Sequence, residues 1–222
     1  IGTDAGGTVR DANSIWHVSG VNSGDIDGIF FFSAMDNLVG AAENDTFFIA
    51  SGARITGSIN GGGGTNLLIF DTGDVDDVVA VSGGSVTVNG ASQSYQNITT
   101  VTVNSHGGAD SITVTPTSPN LPSRIEVNSA DGDDTIAVNL VAGAATTIVV
   151  DGGAPSSSDS LTVNGTANAD VINVIKSQVI YGSTIINLSA IEQLSVKGGG
   201  GADQITLTGT SGSSSVELLG EG

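Results

Sequence analysis

The chain has 222 residues, enough for one large all-β domain or two small ones. Gly accounts for 33 residues and charged residues for only 13%, while Val, Ile, Thr, Ser, Asn and Asp dominate the rest, a composition that favours strands and turns over helices. The net charge of -18 repels nucleic acid and anionic membranes, so cations are the expected partners, and the absence of cysteine excludes disulfides and thiolate metal sites.

No apolar run approaches the roughly 20 residues that a membrane-spanning helix needs, so the sequence predicts no membrane insertion. The first residues, IGTDAGG, do not form a signal peptide. We therefore expect a mature fragment, or an export signal that lies outside this segment. The lack of cysteine fits a bacterial protein that is extracellular or on the cell surface, where folding does not depend on the redox compartment.

Residues 1–40 contain strand-like segments whose repeat register is unclear. SIWHVSG begins at Ser14 and DIDGIFFFSAMDNLVG at Asp25, and together they hold the only Trp and three consecutive Phe residues. We predict that this part forms irregular first coils or a cap, ahead of a regular domain that spans residues 41–222.

From residue 41 onward, a strand of the form D-x-apolar-x-apolar recurs. It begins at Asp45, Asn66, Asp110, Asp134, Asp159 and Asp203. The steps are 21, 44, 24, 25 and 44 residues, and since 44 is twice 22, the sequence predicts a single period of 21 to 25 residues. The apolar residues two and four places after each acid face one side of a strand. A second short strand in each period, such as the one with Ile125 and Val127, gives each coil at least two sides.

A coil of about 22 residues cannot bury its own apolar residues, whereas coils stacked on one another bury them in ladders and pair their strands in parallel. We therefore predict an all-β fold, a parallel β-solenoid (β-helix) of about nine to ten coils. A β-sandwich is the alternative, because it also has short strands at regular spacing. It does not explain why the acid-led strand keeps one register along the chain.

The predicted solenoid contains an internal duplication. Residues 66–118 align with residues 159–211 at an offset of 93 without a gap, and 16 of the 53 aligned pairs are identical. The C-terminal segment SSSVELLG reads as an apolar strand without a polar cap. Because the end strands of a solenoid are unpaired, we predict head-to-tail self-association through strand addition.

Asp residues near the turns are the candidate metal ligands. The segment GGGGADQIT matches the calcium-binding nonapeptide G-G-x-G-x-D-x-U-x, with Asp203 as its carboxylate. Asp131, Asp133 and Asp134 lie in one turn that could approach a neighbouring coil, and Asp110 opens the strand one period earlier. Calcium prefers such oxygen ligands, so we predict it as the cofactor. The alternative is that each Asp accepts hydrogen bonds from local backbone amides and shapes a turn.

The sequence predicts no enzyme. His17 and His106 are far apart, the five basic residues do not cluster, and neither G-x-S-x-G nor H-E-x-x-H occurs. An enzyme that cleaves polysaccharides would instead need a cleft with paired acids near a cation.

Several segments resemble a known family of repeats. SIWHVSG, NLVGAAENDTF and GSINGGGGTNLL resemble the module of very long bacterial surface and adhesin-like proteins, which reads W-x-V-T-G, N-L-x-G-G-x-G-N-D-T-F and G-S-I-D-G-G-x-G-T-N-T-L. Residues 152–209 resemble the haemolysin-type, RTX-like repeats of the same proteins, and this resemblance implies calcium association. Only GGGGADQIT, with Asp203, matches the calcium pattern in full, whereas Ala41, Glu43 and Asn66 depart from it.

Together these features predict a structural protein. We expect an extracellular β-solenoid segment that acts as a stiff spacer or as a head-to-tail fibre subunit of an adhesin, surface layer or biofilm matrix. The alternative is a calcium- or carbohydrate-binding surface module whose partner is a cell-surface or matrix polysaccharide.

Overall fold

A computed structural model describes residues 7–11, 13–153, 158–209 and 215–220. These residues form 23 strands, and no helix among them is long and apolar enough to cross a membrane. The strands are β1 (Gly7–Asp11), β2 (Ile15–Gly20), β3 (Ser23–Ile26), β4 (Phe30–Phe32), β5 (Met35–Gly40), β6 (Thr46–Ile49), β7 (Ser58–Asn60), β8 (Leu67–Asp71), β9 (Val78–Ser82), β10 (Ser85–Val88), β11 (Ala91–Gln96), β12 (Thr100–Asn104), β13 (Ser111–Thr115), β14 (Arg124–Asn128), β15 (Thr135–Asn139), β16 (Thr147–Asp151), β17 (Ser160–Asn164), β18 (Val171–Ile175), β19 (Gln178–Tyr181), β20 (Thr184–Ser189), β21 (Gln193–Lys197), β22 (Gln204–Thr208) and β23 (Ser215–Leu219).

The strands form two sheets, and the chain passes back and forth between them. The 11-stranded sheet has the order β1-β5-β7-β11-β10-β9-β13-β15-β17-β21-β23, and the 12-stranded sheet has the order β22-β18-β19-β20-β16-β14-β12-β8-β6-β2-β3-β4. Neighbouring strands are parallel except within three antiparallel meanders, β2–β3–β4, β9–β10–β11 and β18–β19–β20. The prediction of an all-β fold with mostly parallel pairing is confirmed.

Alternation of apolar and polar residues explains why these short segments form strands. In β14, Ile125 and Val127 are fully buried, while Arg124, Glu126 and Asn128 between and beside them are partly exposed. The buried side chains of both sheets form one continuous apolar cluster. The core therefore lies between the sheets, and every additional strand extends it.

Equivalent residues on neighbouring strands are separated by a nearly constant length of chain. Leu67 of β8 pairs with Thr46 of β6, and Ile136 of β15 pairs with Ile112 of β13 and Leu161 of β17. The acids that precede these strands are 21, 24 and 25 residues apart. Three of the predicted steps therefore correspond to neighbouring paired strands of one sheet.

The two steps of 44 residues, however, are not two periods of 22, and that part of the prediction is wrong. Asn66 precedes β8 in the 12-stranded sheet, whereas Asp110 precedes β13 in the 11-stranded sheet. The meander β9–β10–β11 supplies the extra length, and β18–β19–β20 does so between Asp159 and Asp203. Because a meander adds antiparallel strands within one sheet, it raises the separation of equivalent acids to 33 residues, as between Asp77 and Asp110.

Residues 15–32, in the segment predicted as a cap or irregular coils, form the meander β2–β3–β4 at one edge of the 12-stranded sheet. Trp16 of β2 pairs in parallel register with Phe47 of β6, and their ring centroids are 5.4 Å apart. The backbone N–H of Ser14 donates to Oδ1 of Asp45 at 3.0 Å. The regular register therefore reaches Ser14, where the sequence pattern lacks its leading acid.

Parts of four predicted regions lie outside the described residues. They are residues 1–6 and 12 of the N-terminal region, residues 154–157 of the segment that resembles RTX repeats, residues 210–211 at the end of the duplication, and residues 212–214 and 221–222 of the C-terminal segment.

Candidate functional site

The glycine-rich segment that matches the calcium nonapeptide forms a turn packed directly on another turn. The N–H of Gly200 donates to the carbonyl oxygen of Thr166 at 3.0 Å. Gly199 and Gly201 have φ angles of +85° and +104°, and a Cβ at either position would overlap the backbone of residues 166–169. Glycine is therefore required both by the left-handed backbone and by the close approach of the two turns.

Asp203 follows this turn and bonds to the neighbouring backbone. Its Oδ1 accepts the N–H of Asp170 at 2.9 Å, and a Cβ at Gly198 would overlap its Oδ2. Asp170 in turn accepts the N–H of Thr166 at 2.6 Å. Asp203 thus ties its turn to the adjacent one through the N–H of a residue 33 positions earlier, rather than through the local backbone amides expected from the sequence.

A longer series of the same bonds runs beside the 11-stranded sheet. We call Asp77, Asp110, Asp134 and Asp159 the acid ladder. The N–H of each of the first three donates to Oδ1 of the next, at 2.8 Å in every step. The N–H of Asp159 donates to Oε2 of Glu192 at 2.9 Å. Each carboxylate therefore fixes the register between two neighbouring strands.

The 12-stranded sheet has a mixed version of this ladder. The N–H of Asp45 donates to Oδ1 of Asn66 at 2.9 Å, and the N–H of Asn66 donates to Oγ1 of Thr99 at 3.2 Å. The amide Nδ2 of Asn66 donates to the carbonyl oxygens of Gly63 and Asn97 at 2.8 and 3.0 Å. A neutral amide therefore occupies the position of the acid, and its second polar atom is a donor.

The second carboxylate oxygen of several of these acids is enclosed by protein. Within the described part of the chain, the buried Oδ2 atoms of Asp45, Asp77 and Asp203 have no hydrogen-bond partner. Burial raises the pKa of Asp110 and Asp134 above the ordinary value of 3.8, and the neighbouring acids raise it further. The ladder N–H groups and the hydroxyls of Ser105 and Ser129 oppose the rise by hydrogen bonding. These two carboxyls therefore keep their protons to a higher pH than an exposed Asp does.

A small residue five positions before the acid makes room for the enclosed oxygen. Gly40 precedes Asp45, and a Cβ at Gly40 would overlap Oδ2 of that carboxylate. Ser129 stands at the same distance before Asp134. This position was not among the residues predicted from the sequence, although a Gly or Ser at this spacing was a readable signal.

The five predicted calcium ligands do not meet in one place. Asp110 and Asp134 are neighbours in the acid ladder, Asp131 and Asp133 are exposed in the turn before Asp134, and Asp203 precedes a strand of the other sheet. Over the ranges that the structure describes, no group of three or more His, Asp or Glu side chains could hold a metal ion. Calcium takes about six to eight oxygen ligands, so these residues as placed do not fit a calcium ion.

Each histidine pairs with an aspartate near the protein surface. His17 Nδ1 lies 2.9 Å from Asp25 Oδ1, between β2 and β3, and this hydrogen bond lowers the pKa of Asp25. His106 Nε2 lies 3.2 Å from Asp71 Oδ1 and joins the loop after β12 to the end of β8. Both pairs link neighbouring strands or loops, and the structure keeps the two histidines in separate contacts.

A cavity of about 150 Å³ lies between the end of β8 and the meander β9–β10–β11. Phe70 and Val88 give it an apolar wall, and Arg54 and Asp71 line it. Asp71 Oδ1 already accepts a hydrogen bond from Asn104 and lies 3.2 Å from His106 Nε2. The cavity therefore brings a cation near one acid, rather than near the paired acids of a polysaccharide-cleaving site.

The polar groups near the turns thus link strands to one another, and the glycines allow the turns to stack. Comparison of the chain with known protein families, curated proteins and solved structures finds no match. The functional conclusion therefore rests on the arrangement of the chain's own residues.

Proposed function

We propose that the chain is a parallel β-solenoid that serves as a stiff structural segment outside the bacterial cell. It acts as a spacer, or as a fibre subunit joined head to tail, in an adhesin, surface layer or biofilm matrix. The observation that carries the proposal is an apolar core whose side chains are incompletely covered at the outermost strands.

Passage of the chain between the two sheets supports the solenoid. Each pass adds strands that pair in parallel with the strands before and after them, as β13, β15 and β17 do. The acid ladder adds side-chain bonds between the same strands. A rod built in this way resists bending, because bending would break backbone and side-chain bonds together.

The core is uncovered at β22 and β23, the outermost strands at one end of the two sheets. Leu207 pairs with Val174, and Leu218 pairs with Val196. Val174 and Val196 are 1% and 0% exposed, whereas Leu207 and Leu218 are 42% and 36% exposed. The apolar rows of the core therefore continue to a surface that another strand would cover.

The opposite edge of the 12-stranded sheet is also apolar. Phe30 of the outermost strand β4 pairs with the buried Ile26 and is 49% exposed, and the adjacent Ile29 is 68% exposed. Through the pairings of the sheet, β4 runs in the same direction as β22. The β4 edge of one copy can therefore extend the sheet beyond β22 of another by parallel pairing.

Electron microscopy of the purified chain, in calcium and again after chelation, tests this function. We expect filaments one solenoid wide that persist in chelator, because strand stacking alone joins the copies. The variant Leu207→Glu/Leu218→Glu places charges in the end contact and should give single particles. Thr113→Glu/Thr162→Glu, on the outer face of the 11-stranded sheet, adds the same charge away from the ends and should leave the filaments intact.

Each other outcome has a defined meaning. Single particles of the unmodified chain under both conditions would contradict head-to-tail joining. Filaments that come apart in chelator would show that the Asp residues hold ions, in favour of the calcium-binding alternative. Retention of the chain on immobilised glycans, unaffected by the end substitutions, would favour the carbohydrate-binding alternative.

A further inference from the structure

We propose that the cavity between the end of β8 and the meander β9–β10–β11 binds a small organic carboxylate, with Arg54 as the partner of the anion. The ligand carries one carboxylate on a body about the size of a six-membered ring. A free aromatic acid and a hexuronic acid residue of a polysaccharide both have this chemistry. The site is separate from the outermost strands that join copies head to tail.

The cavity is large enough for a ring and has an apolar wall. Its volume is about 150 Å³, and a cavity of this size with apolar walls can hold a benzene ring. Ile49 and Phe70 line it and are 2% and 4% exposed, and Val88 packs against the same core. An apolar body that enters the cavity is therefore removed from water, which favours binding.

Arg54 is the charged residue that lacks a partner at this cavity. The chain has 23 acidic residues against five basic ones, so acids are the commonest charged groups available to an arginine. Among the described residues, the salt bridges involve His17, His106 and Arg124, and none involves Arg54. Arg54 is partly buried, and a guanidinium in such a position forms strong paired hydrogen bonds to a carboxylate.

Hydrogen bonds hold the backbone around Arg54 in place. The carbonyl oxygen of Arg54 accepts the N–H of Asn22 at 2.8 Å, and the N–H of Ile55 donates to Oε1 of the buried Gln93 at 2.7 Å. Gln93 also lines the cavity, and its Nε2 donates to the carbonyl oxygen of Ser94 at 2.9 Å. Because these bonds already fix the segment that carries Arg54, little further ordering is needed when a ligand binds.

Asp71 lines the same cavity but does not neutralise Arg54. Within the part of the chain that the structure describes, no salt bridge joins the two side chains. Asp71 Oδ1 instead accepts Nδ2 of Asn104 at 2.9 Å and lies 3.2 Å from His106 Nε2. These contacts hold the carboxylate of Asp71 towards β12 and the loop after it, so the guanidinium is left for the anion of a ligand.

A second cavity of the same molecule supplies a comparison. It lies between the loops at residues 116–121 and 141–145 and has a volume of about 290 Å³. Its lining residues are apolar or small, with one Ser and no charged residue. It therefore has no group that would select a carboxylate, whereas the cavity with Arg54 combines an apolar wall with an unpaired cation.

The charge of the whole chain limits which anions fit. A net charge of -18 repels a ligand that carries several negative charges. Distant acids are screened over about 8 Å at physiological ionic strength, while a carboxylate in contact with Arg54 gains charge-assisted hydrogen bonds. We therefore expect the cavity to take a monocarboxylate and to reject a nucleotide or a polyphosphate.

Ligand-detected NMR titrations with benzoate and its uncharged isostere benzamide test the site in the full chain. We expect a dissociation constant for benzoate of about 1 mM or lower, and binding of benzamide that is at least about tenfold weaker. Arg54→Gln should remove most of this preference by weakening benzoate alone. Arg124→Gln removes the same charge from an arginine that pairs with Glu126, and should leave the preference unchanged.

A filled cavity separates binding at this site from binding elsewhere. Ala91 and Ala53 both line the cavity. Ala91→Leu should abolish binding of both probes, and thermal unfolding shows whether the variant is folded. Ala53→Leu replaces it if it is not. Benzoate that does not saturate the unmodified chain, or that loses the same affinity in Arg54→Gln and Arg124→Gln, would overturn the proposal.

Competition against benzoate distinguishes the two sources of the ligand. Displacement by a hexuronate, but not by the corresponding hexose, would assign the site to an acidic polysaccharide. Displacement by neither sugar would assign it to a free organic acid, and both results support the carboxylate site. The result is separable from the proposed function, because filaments form through β4 and β22 whether or not this cavity is filled.

Discussion

Asp134 shows how the two oxygens of one carboxyl differ in this protein. Its Oδ1 accepts the N–H of Asp110 at 2.8 Å, while its Oδ2 is enclosed by protein. The hydroxyl of Ser129 is the side-chain hydrogen-bond donor that lowers the pKa of this carboxyl. At the corresponding position in the other sheet, Asn66 keeps the acceptor and replaces the enclosed oxygen with an amide donor. The ladder therefore requires an acceptor at Oδ1, and a neutral group is tolerated at Oδ2.

We expect Asp134→Asn to be more stable than the unmodified chain at neutral pH. The raised pKa of Asp134 means that folding favours its protonated form. Its contribution to stability is fully present below the ordinary pKa of 3.8 and is lost as the pH rises through the raised value. An amide does not titrate, so the advantage of the variant should shrink as the pH falls from neutral into the acid range. Urea unfolding at a series of pH values measures this.

Asp134→Ala is the matched control for the ladder bond. It removes the acceptor of the Asp110 N–H and should cost about 1–3 kcal/mol in the free energy of unfolding at every pH. If the Asn and Ala variants are equally destabilised at neutral pH, the Ser129 hydroxyl satisfies the carboxylate in a way that an amide cannot replace.

Among the elements, the turn at residues 198–201 has a sequence motif that can be interpreted either as a calcium site or as a turn required for stacking. We expect Gly199→Ala to cost about 1–3 kcal/mol even without calcium, because its left-handed φ disfavours any side chain and the new Cβ would overlap the carbonyl oxygen of Thr166. Gly200→Ala lies in the same turn, with its nearest contact 3.3 Å away at the carbonyl oxygen of Ala167, and should cost less than about 1 kcal/mol. Thermal unfolding in chelator compares the two.

Equal stability of the two variants in chelator, with a difference only in calcium, would reverse this interpretation. The glycine pattern would then serve ion binding rather than turn stacking.

The sequence was most informative about strands and least informative about which sheet each strand joins. Alternating apolar residues predicted β14 and β16, because burial of every second residue depends only on local order. The step from Asn66 to Asp110 was misread, since a meander within one sheet and an extra coil add similar lengths of chain. The bonds of the acid ladder could not be predicted, because they join residues about one period apart whose distance in space depends on the sheet assignment.

At the scale of the whole molecule, the internal duplication relates halves that lie in exchanged sheets. Residues 66–118 begin with β8 in the 12-stranded sheet, whereas the aligned residues 159–211 begin with β17 in the 11-stranded sheet. The meanders β9–β10–β11 and β18–β19–β20 are exchanged likewise. The repeating unit is therefore one strand with its turn rather than a full coil. Because this unit occurs in both sheets, the inner faces of the two sheets carry the same apolar pattern. The residues on the outer faces can differ between the sheets.

A repeat built in this way should be most stable in the middle and least stable at its uncovered ends, since interior strands have neighbours on both sides. We expect Ile148→Ala, at a fully buried position, to cost about 2–5 kcal/mol in urea unfolding. Leu207→Ala, at a position that is 42% exposed, should cost less than about 1.5 kcal/mol in dilute solution. If copies join end to end, Leu207 becomes covered, so its cost should rise with protein concentration while that of Ile148 stays constant. A large cost for Leu207→Ala in dilute solution would mean that the end is already covered within one copy, and a cost independent of concentration would argue against joining at this end.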